Sequence, residues 1–125
     1  EAAHCFLQLV HQRYRNLTHR LVQVAEEYIL AHLTDPQLGL RLLSQHLGAS
    51  PTHISRTFKK IKGMPLTRFI NSQRVEIAKR HLLDRRISVT DLAFDLGFGS
   101  VQHFGRVFKG MTGVSPTEYR RARIA

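Results

Sequence analysis

Residues 54–63 read ISRTFKKIKG, and residues 104–113 read FGRVFKGMTG. Arg, Phe, Lys and the closing Gly recur in step, fifty positions apart. The likeness extends outward on both sides. Residues 40–74 align with 89–123, LRLLSQHLG against VTDLAFDLG before the quoted stretch and PLTRFINSQR against SPTEYRRAR after it. One residue is added in the second copy, because Gly48 to Arg56 is eight steps and Gly97 to Arg106 is nine. Each unit reads as a short helix, a glycine turn and a second helix, which is the helix-turn-helix outline. A two-repeat solenoid is the competing architecture. Such arrays need about three repeats to close a core, and they have no use for a basic second helix in each repeat.

The punctuation of the chain is helical throughout. Gly and Pro fall between periodic segments, and no stretch keeps a two-residue alternation. AAHCFLQLVHQRYR is a short helix or the tail of a missing domain. Leu17, Leu21, Val24, Tyr28 and Ala31 then mark one helical face, ended by TDP at 34–36. A short helix spans 39–47. Ser50-Pro51 is a helix start, a hydroxyl cap followed by Pro at the first position, and that helix runs to Lys62 and Gly63. A longer linking helix covers 66–83. Ser88 caps a short helix, Ser100 caps one running to Thr112 and Gly113, and Ser115-Pro116 opens the last, which ends in the basic run RRAR. The expected fold is all-α, with two homeodomain-like helix-turn-helix subdomains at 18–64 and 85–125, a linking helix at 65–84, and an N-terminal helical segment or linker at 1–17.

Charge narrows the function. The chain carries a formal net +10. Residues 1–50 hold four Lys/Arg and four Asp/Glu, whereas 51–125 hold fifteen and five. The whole excess therefore lies with the repeat, which points to a polyanion, and nucleic acid above all. The single Cys5 cannot form an internal disulfide, and the eight histidines lack zinc spacing; His4, Cys5 and His11 could cluster, with ordinary surface histidines the favoured reading. No metal or other cofactor is expected, and no enzyme activity. No apolar run approaches a membrane span, so a reducing, cytoplasmic setting fits. The chain begins in the middle of a helical pattern and without Met, and reads as a fragment of something longer.

On a helical wheel of about 100° per residue, Ile54, Phe58 and Ile61 form one stripe, with Thr52, Arg56 and Lys59 opposite and Ser55 at their edge. In the second copy Phe104, Phe108 and Met111 form the stripe, with Gln102, Arg106 and Lys109 opposite. A helix entering a major groove needs this division: an apolar back that anchors it and long donors at its front. Arg can pair with guanine O6 and N7, and Gln with adenine N6 and N7. Lys59, Lys60 and Lys109 suit phosphates, which position the protein without reading sequence.

The second unit, SVTDLAFDLGFGSVQHFGRVFKGMTGVSPTEYRR, closely resembles the signature region of the AraC/XylS family of bacterial transcription regulators. GLRLLSQHLGASPTHISRTFKKIKGMPLTRFINSQRVEIAKRHLL resembles that family's upstream repeat and linking helix. The resemblance covers residues 19–123. It implies that helices at about 51–62 and 101–112 read successive major-groove segments of double-stranded DNA. Family base-reading positions fall on Thr52, Ser55, Arg56, Val101, Gln102, His103 and Arg106. Val101 and His103 rest on the resemblance alone, and either could instead be helix-end packing. The resemblance also implies an upstream sensory or dimerisation domain and RNA polymerase as partners, and activation as a role. Ser44 stands where the second unit has Ala93 at the helix crossing. Gly105 stands where the family has a hydroxyl residue, parallel to Ser55. Arg74 falls on the buried stripe of the linking helix (Leu66, Phe69, Ile70, Ile77, Ala78, Leu82), so it is expected to meet a carboxylate or helix-end carbonyls, with phosphate the alternative. The apolar N-terminal stretch, with Phe6, Leu7, Leu9, Val10 and Tyr14, is a candidate surface for a missing domain or a second subunit.

Overall fold

A computed structural model describes residues 2–124, with side chains from 5 to 124. Seven helices follow one another: α1 (Ala2–Ala31), α2 (Leu40–Leu47), α3 (Pro51–Lys62), α4 (Leu66–His81), α5 (Val89–Asp95), α6 (Val101–Thr112) and α7 (Pro116–Ile124). Among the described residues there is no strand.

The two repeated helices begin and end where their sequence requires, while the linking helix stops at His81, short of the expected 83. Ser50 caps α3 by accepting from the His53 backbone N–H at 3.1 Å, and Ser100 caps α6 by accepting from His103 at 3.0 Å. Both helices stop at a left-handed glycine, Gly63 (φ 78°) and Gly113 (φ 87°), a conformation that costs a residue with a Cβ about 1–2 kcal/mol.

Two apolar cores sit in series along α4. The first joins Val22, Ala25 and Ile29 of α1 to Leu43, Ile54, Phe58 and the α4 residues Leu66, Phe69 and Ile70. The second joins Val75, Ala78 and Leu82 to Leu92, Ala93, Phe98, Phe104 and Phe108. The linking helix is therefore shared, its first half closing one three-helix unit and its second half founding the other, while Ile77 touches both cores. Completely buried Phe58 and Phe108 anchor the backs of α3 and α6. Phe58 meets Phe69 edge-on at 5.3 Å, and fifty positions later Phe108 meets Tyr119 edge-on at 5.4 Å. Such pairs add about 0.5–1.5 kcal/mol beyond the area they bury.

Three sequence expectations change. The N-terminal stretch and the helix after it are continuous, since α1 runs unbroken for 30 residues through position 17. The core-facing stripe of α1 is Val22, Ala25, Ile29 and, just beyond the helix, Leu33, one residue over from the expected face; Leu17 stays 61% exposed and Leu21, Val24 and Tyr28 are half-buried. The helix carries two adjacent apolar stripes, and periodicity alone does not say which one meets the core. Met111, expected beside Phe104 and Phe108, is 38% exposed, because the last turn of α6 overhangs a cleft against α4.

Candidate nucleic-acid interface

The helices α3 and α6 present the same two-sided design. On α3, Ile54, Thr57 and Phe58 are buried, while Thr52, Ser55, Arg56, Lys59 and Lys60 are exposed. On α6, Phe104 and Phe108 are buried, while Gln102, His103, Arg106 and Lys109 are exposed. Neither helix carries a carboxylate. The ion pairs among the described residues lie elsewhere, on Lys62–Glu26 (2.7 Å), Lys79–Glu76 (2.9 Å) and Arg86–Asp84 (3.0 Å). Arg56, Lys59, Lys60, Arg106 and Lys109 thus keep their donors and their charge for an outside partner.

Two of the candidate readers are held by the protein itself. Val101 is half-buried and rests against the second core. The His103 ring stands edge-on to Phe98 at 5.6 Å. Gly105 is open: a Cβ built there meets nothing within 4 Å. Ser44, at the crossing of α2 and α3, uses its hydroxyl to donate to the Ala49 carbonyl at 2.6 Å and so closes the first turn. In the second unit the Phe98 N–H donates to the Ala93 carbonyl at 3.0 Å.

A buried arginine bridges the two units. Arg74 is 6% exposed and donates from Nε to the Leu33 carbonyl and from Nη2 to the Asp35 carbonyl, each at 2.8 Å. These are carbonyls just beyond the end of α1, one of the two internal partners expected for it. Burial pushes its guanidinium below the ordinary arginine range, opposed by the nearby Asp35 carboxylate; it stays protonated in water at any physiological pH. The same head group lies over the Phe98 ring at 5.6 Å.

Sequence reasoning missed a second arginine of this kind. Arg120, one of the RRAR run, turns inward and donates to the carbonyls of Leu82 (2.8 Å), Asp84 (3.1 Å) and Ile87 (2.5 Å), tying α7 to the end of α4. Also missed was a cleft of about 800 Å³ between α4 and α6, where Arg68, Asn71 and Lys79 of the linking helix join Arg106. Among the described residues no three His, Cys, Asp or Glu side chains gather as a metal site, and the side chain of His4 lies outside those described. No helix of the described residues is long and apolar enough to cross a membrane.

Two capped, basic, carboxylate-free helices, each anchored by phenylalanine and carried on one shared helix, define a double helix-turn-helix module. A helix-turn-helix domain family matches residues 43–122. The HTH-type transcriptional activator AarP of Providencia stuartii is 38% identical over 93 residues, covering 74% of this chain and 68% of that protein. The bifunctional transcriptional activator/DNA repair enzyme AdaA of Bacillus subtilis is 36% identical over 100 residues, 80% of this chain; the match spans 47% of AdaA, about half its length. Among solved structures, the DNA-binding domain of AdpA, a global transcriptional factor in complex with a target DNA, superposes with a TM-score of 0.74 at 28% identity, covering 81% of this chain and 90% of that one. A probable AraC family transcriptional regulator from Rhodopseudomonas palustris superposes with a TM-score of 0.73 at 27% identity, covering 82% and 96%. The chain belongs to the AraC/XylS family of helix-turn-helix transcription regulators and is a DNA-binding domain of that family.

Proposed function

We propose that α3 and α6 read successive major-groove segments on one face of double-stranded DNA, as the binding module of a transcriptional activator. The observation that carries this is the matched pair of helix faces, with Arg56 and Arg106 fifty positions apart, exposed and unpaired above buried Phe58 and Phe108. Thr52, Ser55 and Arg56 contact base edges in one segment, and Gln102, His103 and Arg106 in the next, with Val101 set against a thymine methyl. Lys59, Lys60 and Lys109 contact phosphates. The chain works by binding and carries out no chemistry of its own. The repair activity named for AdaA belongs to that protein.

The whole protein is proposed to act in the cytoplasm, with RNA polymerase as a partner and a sensory or dimerisation domain upstream. Support for a further domain comes from relatives such as AdaA, of which the match spans about half. Fluorescence anisotropy with sites selected from random DNA tests the reading. Tight binding to a selected site with two separated blocks of fixed sequence supports two readers. A single block would count against them.

A further inference from the structure

Residues 66–69, LTRF, stand where the second unit has 116–119, PTEY. The aromatic positions are equivalent in the fold, since Phe69 packs on Phe58 at 5.3 Å and Tyr119 on Phe108 at 5.4 Å. The residue before each aromatic differs in charge. Glu118 turns back to the start of its helix, where its carboxylate accepts from the Ser115 N–H at 3.4 Å and the Ser115 hydroxyl accepts from the Glu118 N–H at 3.1 Å. That reciprocal pair is a capping box. Arg68 holds the same place in the first turn of α4, behind Pro65, which supplies no side-chain cap. A cation there opposes the helix macrodipole, so helix formation gives no reason for it. Arg68 is exposed, has no hydrogen bond or ion pair among the described residues, and lines the cleft of about 800 Å³ between α4 and α6. Asn71, one turn further on, lines it too, and Arg106 of the second reading helix stands on the facing wall. Glu76 is the one carboxylate in that lining, and Lys79 holds it at 2.9 Å. The cleft is therefore cationic, and Arg106 makes it continuous with the reading face.

We infer that Arg68 and Asn71 grip the sugar–phosphate backbone beside the minor groove that separates the two major-groove segments, an inference that rests on α3 and α6 being the readers. Successive major-groove segments on one face of a duplex are separated by a single minor groove, about 6 Å wide. The linking helix carries both readers, so a duplex held by both runs past its exposed side. Arg106, at once a reader and a wall of the cleft, keeps that side next to the DNA. The Arg68 guanidinium suits a phosphate, which it can meet with two parallel N–H donors, and the Asn71 amide adds a further donor. The linking helix is then a third point of attachment. It holds the backbone between the readers and reads no sequence itself.

Phosphate ethylation interference with the whole chain on a selected DNA site tests this. The wild type is expected to show interference at phosphates beside both major-groove segments and at a further set between them. Arg68→Ala is expected to lose the middle set alone, to bind about tenfold more weakly at low salt, and to flatten the log–log salt slope by about 1. Base preference in the two outer segments is expected to stay as it was. Arg68→Lys keeps the charge and is expected to keep the middle set. Arg68→Glu puts the second unit's residue at the helix start, so it is expected to melt no lower than the wild type while binding DNA more weakly than Arg68→Ala. Interference in both outer sets with none between them overturns the grip and leaves the two readers standing. An Arg68→Ala pattern and salt slope identical to the wild type also overturns it. A wild-type pattern confined to one segment overturns the two readers, and the grip with them.

Discussion

A Cβ placed on Gly97 would stand 2.8 Å from Nη2 of Arg74 and 3.0 Å from the Leu33 carbonyl that Arg74 holds. Gly97, in the turn before α6, thus packs against the end of α1 through one guanidinium. Its φ of 86° independently excludes most side chains. The turn of the second unit is pressed onto the stretch that follows α1 in the first.

Removing that guanidinium strands the Leu33 carbonyl, whereas the Asp35 carbonyl still accepts from the Leu38 N–H at 3.1 Å. Arg74→Met, which keeps the aliphatic stem, is expected to lower unfolding free energy by about 1–2 kcal/mol, from one unsatisfied acceptor partly offset by the buried charge removed. Gly97→Ala is destabilising alone through strain and collision. In combination the two are expected to cost less than their sum, because the collision with Arg74 disappears. Urea unfolding of the two single variants and the double variant measures this coupling. Strict additivity would mean that the two residues do not press on one another.

Gly105 is the opposite kind of glycine. It sits inside α6 with open space at its Cβ, so Gly105→Ala is expected to stabilise the free domain by about 1 kcal/mol through helix propensity. Thermal unfolding reads that gain. Weaker DNA binding by the stabilised variant would locate a close approach of DNA to that backbone; unchanged binding would leave Gly105 without a role in recognition.

Phosphate contacts are read by salt. Affinity is expected to fall steeply as salt rises, linearly in log–log form. Lys59→Ala and Lys109→Ala should each flatten the slope by about 1, weakening binding alike on different sequences. An affinity indifferent to salt would rule out the phosphate grip.

Much of the fold was legible because its boundaries are written in local chemistry. Ser50-Pro51, Ser100, Gly63 and Gly113 each stop or start a helix by their own hydrogen bonding or backbone freedom. The division of α3 was legible for the same reason, since one wheel separates Phe58 from Arg56. The core face of α1 was not, because Val22, Ala25 and Ile29 run beside a second apolar stripe, and only the packed neighbours choose between them. Arg120 could not be told from the solvated arginines beside it, for its role depends on carbonyls more than thirty residues away. Arg74 was legible, because a charge on an apolar stripe must find a partner.

On the proposed reading, α3 and α6 contact two separate stretches of DNA. Base-preference profiles of Arg56→Ala and Arg106→Ala on a selected site test it most directly. Each variant is expected to relax discrimination by about 1–3 kcal/mol at its own base pairs, the two sets lying one helical turn apart, ~34 Å. Loss of preference by both variants at the same base pairs would contradict the two-reader account.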